Sequence, residues 1–350
     1  MTYDALAGRQ GDVLAVVSQS GPTVSFFDAA GHRLLDVLEV LAEPHELCLD
    51  PARRLLWCTH SYHGGYYHAN NGRRSEITLI DPDERRIVDV IDLAPEHAPH
   101  GLALDSTRDL LYVSVEGAQD RPGGVVVVDL ATRKPIGRID TGAKGPHWFV
   151  ISPDGNVGYA SNKEASYVSV VNLRTGTMTA KVEVPGSEGL AVSGDGGEVF
   201  VAAPYGSFAA PRTQAAPGIR VIDTTTASIT KVMPTGAVVF PVHVTATGRL
   251  LTGELRMEVA TDSKLGRQAP GRLTVFDAHD HRPLGGVEVG RFPLTITSSP
   301  DGRLGYVSCV SSSTVDVVDL EEMRRLKRLE IPKRGEPGAH GLAYIPRQRP

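Results

Sequence analysis

Apolar residues occur along this chain in short runs that are rich in β-branched side chains. Typical runs are DVLAVVS at 12–18, TVSFFDA at 23–29 and RIVDVIDL at 86–93. Within them apolar residues are contiguous or alternate with a period of two, and no stretch keeps a helical period for three turns. Gly, Pro, Asp and Asn separate the runs. The pattern predicts an all-β protein with strands of roughly five to eight residues.

One segment recurs seven times and determines the predicted architecture. Each copy begins with a small or Pro-rich corner, continues as an apolar strand and ends in a polar turn, as in GPHWFVISPDG at 145–155 and FPLTITSSPDGR at 292–303. Three further strand-like runs follow most copies, at a period of 41 to 55 residues. Four strands per repeat of this length are typical of a β-propeller blade, which cannot bury both of its faces alone.

The ends of the chain predict how the ring closes. We call the four strands of a blade A to D, from the centre outwards. The first B–C–D set, at residues 12 to 41, precedes any A strand, and the last A strand, HGLAYIP at 340–346, has no B–C–D set after it. Pairing these ends in one composite blade removes both free edges. We therefore predict a seven-bladed β-propeller that occupies residues 1–350 as a single domain.

Composition restricts the functional classes. The net charge is −5, which argues against a nucleic-acid or anionic-membrane binder with a broad basic face. The first thirty residues lack a leader pattern and no apolar run reaches eighteen residues, so we expect no membrane segment and a cytoplasmic location. The three cysteines lie inside strand-like runs rather than at paired spacings, which fits a reducing compartment.

The repeat resembles a known family. ISPDGNVGYASNKEASYVSVVNL at 151–173 and SSPDGRLGYVSCVSSSTVDVVDL at 298–320 are similar to the YVTN-type propeller repeat. More loosely, that repeat is shared by cytochrome d1-like haem domains and by propeller lactonases. The matching residues form turns and strand ends, so the resemblance implies the propeller fold strongly and an activity only weakly.

Histidine is concentrated at one position of the repeat, the start of strand A. Aligning the seven copies places His45, His100, His147, Glu188, His243, Leu294 and His340 at this position, which we call the ring position. Strand A is innermost, so these side chains should surround the mouth of the central channel. Converging imidazoles disfavour one another's protonation, and a cation bound to their neutral lone pairs relieves that cost. The alternative is that each histidine bonds a strand end of the next blade. We favour a divalent metal, Fe, Cu or Zn, bound by three or four of the histidines His45, His100, His147, His243 and His340.

Other polar residues are predicted on the same face. The four long B–C loops all lie there, as expected where a scaffold carries a site on its loops. Glu254 and His60, from the ends of B strands, are candidate general bases or acids, and Glu188 is a further candidate for catalysis or for orienting a ligand. The predicted substrate-binding residues are His63, Tyr66, Tyr67, His68, Lys163, Tyr205 and Arg256.

These residues lead to the functional hypothesis of a metal-dependent enzyme that acts on a small organic molecule. With an open coordination position, the metal would act as a Lewis acid in hydrolysis, ring opening or elimination, for which propeller lactonases and the streptogramin-linearising lyase are architectural precedents. Four histidines would alternatively be similar to the iron centre of carotenoid- and stilbene-cleaving oxygenases. A non-catalytic propeller that binds a ligand or partner is the third interpretation.

Motif searches narrow the partners further. The sequence has no nucleotide-binding glycine motif, no HExxH and no GxSxG, so we expect no nucleotide cofactor. We also expect neither nucleic acid nor a membrane as partner, and a monomer or small homo-oligomer. The sequence does not choose between the redox and the Lewis-acid chemistry.

Overall fold

The computed structural model describes residues 11–64, 72–184, 186–204, 217–259, 267–334 and 337–348. These residues form seven four-stranded antiparallel sheets and one small hairpin. Neighbouring innermost strands contact one another in sequence, and the last contacts the first, so the seven sheets form a closed ring. The prediction of an all-β, seven-bladed propeller is confirmed.

The strands follow the predicted A-to-D order in every blade. The A strands are β4 (Pro44–Asp50), β8 (His97–Asp105), β12 (Pro146–Ile151), β16 (Leu190–Val192), β20 (Val238–Val244), β26 (Pro293–Ser298) and β30 (Ala339–Ile345). The B strands are β1 (Val13–Ser18), β5 (Leu55–His60), β9 (Leu110–Glu116), β13 (Val157–Asn162), β17 (Glu198–Ala203), β21 (Arg249–Leu255) and β27 (Leu304–Cys309).

The outer two strands of each blade complete the sheets. The C strands are β2 (Thr23–Asp28), β6 (Glu76–Asp81), β10 (Gly124–Asp129), β14 (Tyr167–Asn172), β18 (Gly218–Asp223), β24 (Gly271–Asp277) and β28 (Thr314–Asp319). The D strands are β3 (Leu34–Glu39), β7 (Arg86–Asp92), β11 (Lys134–Asp140), β15 (Thr177–Glu183), β19 (Ser228–Pro234), β25 (Pro283–Val289) and β29 (Arg324–Glu330). The hairpin of β22 (Met257–Val259) and β23 (Arg267–Gln268) lies in a B–C loop.

Burial within a blade follows the layer order. B and C strands are almost fully buried, as in β5 with its pattern of six buried residues, because both faces pack against neighbouring blades. D strands such as β11 are largely exposed. The hydrophobic clusters join strands of adjacent blades, as where Trp57 of β5 packs with Val113 of β9. The core is therefore a series of layers between blades.

The A–B turns are held by a side chain that caps the turn. Ser152, Ser193 and Ser299 each bond an aspartate two residues later and accept a backbone N–H five residues later. Asp50 and Asp105 accept backbone N–H groups in the same turns. Such short polar side chains close tight turns without help from distant residues.

The ring closes through the composite blade, as predicted. The C-terminal strand β30 pairs antiparallel with β1, with Val13 opposite Ile345 and Val16 opposite Leu342. Asp12 fixes the join, because its carboxylate accepts the Tyr344 hydroxyl at 2.6 Å and the Arg347 backbone N–H at 2.8 Å. Within the described residues, no helix is long and apolar enough to cross a membrane.

We predict that Asp12→Ala weakens this closure. The carboxylate is 4% exposed, and removing it leaves the Tyr344 hydroxyl without its acceptor in a half-buried position. The expected loss is about 1–3 kcal/mol of unfolding free energy, measured by urea denaturation. Asp36→Ala, at an exposed position of the same blade, is the control and should cost far less. Equal losses in the two variants would contradict the role of Asp12 in closure.

Candidate metal centre

His45, His100 and His147 each sit in an irregularity of strand A. In β4, Pro44 pairs with His60 and Leu47 with Cys58, so His45 and Glu46 together face one residue of β5. The same kind of register break precedes Leu102 in β8 and Phe149 in β12. A bulge of this type turns the strand locally and redirects its side chains. It gives His45, His100 and His147 the same place in their blades.

Four of the predicted histidines come together at the mouth of the channel. Ring centroids lie 4.2 Å apart for His45 and His340, 4.5 Å for His45 and His100, and 4.7 Å for His100 and His147. Their blades are consecutive, so the rings form an arc in the order His340, His45, His100, His147. The three nitrogens that His45, His100 and His147 offer lie within 4.8 Å of one another.

Burial keeps the two central histidines of the arc, His45 and His100, uncharged. Desolvation holds the pKa of His45 well below its ordinary value, and the neighbouring imidazoles of His340, His100 and His147 lower it further. Desolvation, the ammonium of Lys163 and the His147 ring likewise hold the pKa of His100 well below its ordinary value. Neutral imidazoles present lone pairs, and these are the form that binds transition metals.

Carboxylates contact both ends of the arc. Glu188 Oε2 lies 2.8 Å from His147 Nδ1, and Glu46 Oε1 lies 3.1 Å from His340 Nδ1. Neither approach has hydrogen-bond geometry, so both ring nitrogens are without a hydrogen-bond partner. In metal sites, carboxylates next to a ligating histidine fix its orientation or bind the metal themselves.

A charged group borders His100. The Lys163 Nζ lies 3.4 Å from His100 Nε2 and donates to Glu116 Oε1 at 3.0 Å. Tyr62 donates its hydroxyl to the same oxygen at 2.6 Å, and Arg73 Nε lies 3.2 Å from the other. Burial opposes ionisation of Glu116, but Lys163, His100, Tyr62 and Arg73 lower its pKa to about 2. Burial also disfavours the Lys163 ammonium, yet the negative charge of Glu116 raises its pKa overall.

A second buried acid lies beside His45. Glu43 is 3% exposed, and burial raises the pKa of its carboxyl to about 8. Gln19 donates to Glu43 Oε1 at 2.9 Å and places the same amide nitrogen 3.4 Å from His45 Nδ1. Four acids therefore surround the arc, whereas the basic groups in contact with them are Lys163 and Arg73.

Buried polar atoms without partners are concentrated here. Nearly every buried polar atom in a folded protein is hydrogen-bonded, so an unpaired group indicates a missing water, ion or ligand. The unpaired atoms around the arc are Gln19 Oε1, Glu43 Oε2, His45 Nε2, Glu46 Oε1, His147 Nδ1 and His340 Nδ1. Nitrogen and carboxylate donors that converge without partners fit a transition-metal ion.

The fifth predicted ring histidine lies elsewhere. In β20, Val239 pairs with Glu254 and Val242 with Thr252, so the register break contains Phe240 and Pro241. Phe240 therefore occupies the ring position, and the assignment of His243 to it is wrong by three residues. His243 instead contacts Ser298 Oγ through Nε2 at 2.9 Å and lines the channel below the arc.

The remaining part of the mouth is apolar. Phe240 and Leu294 follow Glu188 in ring order and pack with Leu255, Phe292 and Val310 in one buried cluster. The Phe240 and Phe292 rings meet edge to face, with centroids 5.0 Å apart. Five ring positions thus carry metal donors and two consecutive positions carry an apolar wall.

The two candidate bases from B strands lie away from the arc. His60 Nε2 contacts Thr78 Oγ1 at 2.8 Å and Nδ1 contacts the Ala42 carbonyl at 3.2 Å, so both nitrogens have structural partners. Glu254 accepts the Thr274 hydroxyl and lines a cleft of about 450 Å³ that β19 borders. Both side chains bond a C-strand residue of their own sheet, so they face the space between blades.

The predicted substrate-binding residues divide into three groups. Lys163 contacts the arc. His63 is exposed in the loop after β5, and Arg256 lines the cleft with Glu254. Tyr66, Tyr67, His68 and Tyr205 lie outside the described residues.

Sequence reasoning did not single out several residues of the site. Glu43 and Glu46 flank His45 but lie outside the repeat consensus. Glu116, the last residue of β9, and Tyr62, in the loop after β5, are placed on the histidine face by the sequence pattern but receive no role from it. One signal was available, because acids directly beside a ring histidine are conspicuous in an otherwise apolar strand. Their convergence depends on the bulge, which the sequence pattern does not reveal.

Comparisons with known proteins agree with the propeller fold. No family model matches the sequence. Proteins described as uncharacterized protein YncE, from Salmonella typhi and Salmonella typhimurium, are 26% identical over 171 residues. The match covers 46% of this chain and 43% of each of those proteins, so it spans less than half of the relatives' length.

Solved structures share the fold at low sequence identity. A functionally unknown protein from Desulfotomaculum acetoxidans superposes with a TM-score of 0.69 at 13% identity, covering 96% of this chain and 99% of that one. Hydrazine synthase of Kuenenia stuttgartiensis gives 0.66 at 14% identity, covering 85% and 88%. The dihydro-heme d1 dehydrogenase NirN, in complex with DHE, gives 0.59 at 14% identity, covering 97% and 68%.

Fold and site together define the class of this protein. It is a β-propeller with a buried arc of histidines at one mouth of its channel. The propellers that share its fold include enzymes. The closer assignment to YVTN-type repeats stays a prediction.

We predict that His60 makes stability pH-dependent. Burial lowers its pKa to about 4, whereas an unfolded histidine titrates near 6.5. Below pH 6.5 the unfolded chain gains a proton that the folded chain does not, so stability present above that pH is lost as the pH falls towards 4. Between pH 7 and 5 the loss through this residue is roughly 2 kcal/mol.

Urea denaturation at pH 7 and 5 checks this expectation. In His60→Gln the difference between the two pH values should shrink by that amount, while the exposed His279→Gln control should keep the wild-type difference. Identical pH dependence in the wild type and His60→Gln would show that another group is responsible.

Proposed function

We propose that this protein is a metal-dependent enzyme that acts on a small organic molecule at the channel mouth, by Lewis-acid hydrolysis, ring opening or elimination. The observation that carries the proposal is the group of unpartnered nitrogen and carboxylate atoms around the histidine arc. His45, His100 and His147 would hold the metal. Zinc–nitrogen bonds are about 2.0–2.1 Å long, so donors now within 4.8 Å need side-chain shifts of about 1 Å.

Local charge supports a cation at this place. Glu46, Glu116 and Glu188, counted with their formal negative charges, exceed the positive charges of Lys163 and Arg73 by one. Glu43, whose pKa burial raises to about 8, would add a second negative charge once a nearby cation ionises it. A divalent ion would offset that excess in a site where unpaired buried charge is costly. His100 is already oriented for binding, because its Nδ1 contacts the Ala98 carbonyl at 2.9 Å and so leaves the Nε2 lone pair facing the site.

The surrounding residues suggest how a substrate would be handled. A bound metal would polarise a substrate oxygen as a Lewis acid. Lys163, which is held by Glu116, would donate a hydrogen bond to the oxygen as negative charge develops on it. Phe240 and Leu294 would contact an apolar part of the substrate and exclude water from that side.

Metal analysis tests the proposal. We expect protein purified without a histidine tag to bind at least one equivalent of Fe(II), Cu(II) or Zn(II) in separate titrations. His100→Ala should weaken binding by roughly a hundredfold, at least as much as loss of an outer-shell partner. His243→Ala, which removes a channel histidine outside the arc, is the matched control and should bind as the wild type does. Absence of stoichiometric metal, or an equal loss in the control, would refute the metal site.

Activity needs a separate assay. Hydrolysis of γ- and δ-lactones of increasing chain length, followed by pH-stat, should depend on metal and disappear in His100→Ala. A metal-loaded protein that turns over none of these would favour the non-catalytic binding interpretation.

A His-ligated Fe or Cu oxygenase is the second candidate. It is favoured by the fourth histidine, His340, and by the carboxylates at the outer nitrogens of His147 and His340. Oxygen consumption with Fe(II) or Cu(II), but not with Zn(II), would select it, since only a redox metal supports that chemistry.

The position of Lys163 gives a further prediction. Its ammonium lies 3.4 Å from the lone pair that His100 would give to the metal, so it competes with a cation for that nitrogen. We expect Lys163→Met to raise metal affinity roughly tenfold, because a like charge is removed and Glu116 loses a partner. The exposed Lys181→Met is the control. Unchanged or weaker affinity in Lys163→Met, measured by competition titration, would contradict this account.

A further inference from the structure

The donors at the mouth fall into two overlapping sets. One consists of His45, His100 and His147, and the other of His45, Glu46 and His340, and in each set the donor atoms lie within 4.8 Å of one another. Among the described residues, no set within this distance contains all four histidines. His45 belongs to both sets. A single ion bound to His45, His100 and His147 would therefore leave Glu46 and His340 without a metal.

His45 is central in the arc and lacks firm partners on both ring nitrogens. Its ring is flanked by His340 at 4.2 Å and by His100 at 4.5 Å between centroids. Its Nε2 has no hydrogen-bond partner, and its Nδ1 has only the Gln19 amide at 3.4 Å. A neutral imidazole has one donor and one acceptor, and both normally find partners when buried. His45, 3% exposed, does not meet this rule.

Glu46 and His340 have the spacing of two ligands on one ion. Glu46 Oε1 and His340 Nδ1 lie 3.1 Å apart, yet neither has a hydrogen-bond partner. Both residues are more than nine-tenths buried, at 5% and 1% exposure. Ligands with metal bonds of 2.0–2.2 Å lie about 3 Å apart on one ion. The separation fits two ligands of one ion, and the relative orientation of the two groups lacks the geometry of a hydrogen bond between them.

We infer that the mouth binds two divalent transition-metal ions, the second on His340 and Glu46, with His45 shared between them through its two ring nitrogens. The inference rests on the proposed function and deepens it. Binding of the second ion would displace the remaining N–H proton of the His45 imidazole, which is released to solvent, so the affinity for that ion would rise with pH. An imidazole bridge would keep the two ions further apart than the roughly 3.5–4 Å at which two ions clamp one reacting group, so the second ion would chiefly add positive charge beside the first.

Stoichiometry tests the inference. We titrate tag-free protein with Zn(II) in competition with a chromophoric chelator. The wild type and the His243→Ala control should bind two equivalents. His340→Ala and Glu46→Gln should each bind one, and so should His147→Ala. Far-UV circular dichroism and thermal unfolding establish that each variant is folded, and Glu46→Gln preserves side-chain volume where His340→Ala leaves a cavity.

Electron paramagnetic resonance of the copper-loaded protein gives a second measurement, which would not change if His340 had only a structural role. Fully Cu(II)-loaded wild type should show a reduced, magnetically coupled resonance signal, whereas His340→Ala should show the full signal of an isolated ion. Uncoupled ions in the loaded wild type would overturn the shared role of His45.

The outcomes separate this inference from the proposed function. A wild type that saturates at one equivalent overturns the second site and leaves the proposed function standing. One equivalent that is lost in both His340→Ala and His147→Ala indicates a single four-histidine ion, which also overturns it. Absence of binding overturns both proposals.

Discussion

The pairing of β30 with β1 is the contact on which both the ring and the site depend. Blades of a propeller bury their faces only against one another, so an open array would expose two faces and two edges. Closure places the last strand of the chain next to the first, with Asp12 bonded to Tyr344 and Arg347. The same step brings His340, from the C-terminal strand, against His45. The histidine arc is therefore assembled only when the ring is closed.

The sequence was sufficient for the architecture because repetition reinforces each local signal. Seven copies of a turn, an apolar strand and a final aspartate fix the number of blades even where a single copy has diverged. The spacing between the ring position and the A–B turn is the same in each copy that has this turn. The residue that caps the A–B turn follows the ring position by five, as with His45 and Asp50, or His147 and Ser152. Thr245 accepts the Arg249 N–H in the equivalent turn of its blade. The residue five positions before Thr245 is Phe240, so Phe240 rather than His243 occupies the ring position.

The direction of side chains was less predictable than their position. His60 and Glu254 lie at the height of the arc, as expected, but they bond Thr78 and Thr274 of their own sheets. The side chain of a residue at the end of strand B lies on one of the two faces of its blade. Because a B strand is buried on both faces, its sequence shows no alternation of apolar and polar residues that would tell which side chains approach the channel. Glu46 and Glu116 show the converse case. The bulge in β4 brings the Glu46 carboxylate to His340, and the last position of β9 brings the Glu116 carboxylate to His100.

The fold has near sevenfold symmetry, and the sequence breaks that symmetry at the mouth. Donors occupy five consecutive ring positions, from His340 to Glu188, while Phe240 and Leu294 occupy the other two. Donors spread evenly around the ring would be too far apart to share an ion. Adjacent donors can do so, and the apolar positions opposite them would leave one side of a bound ion without protein ligands. An open coordination side next to an apolar wall is the arrangement that a metal needs in order to bind a small, partly apolar molecule rather than to be enclosed as a structural ion.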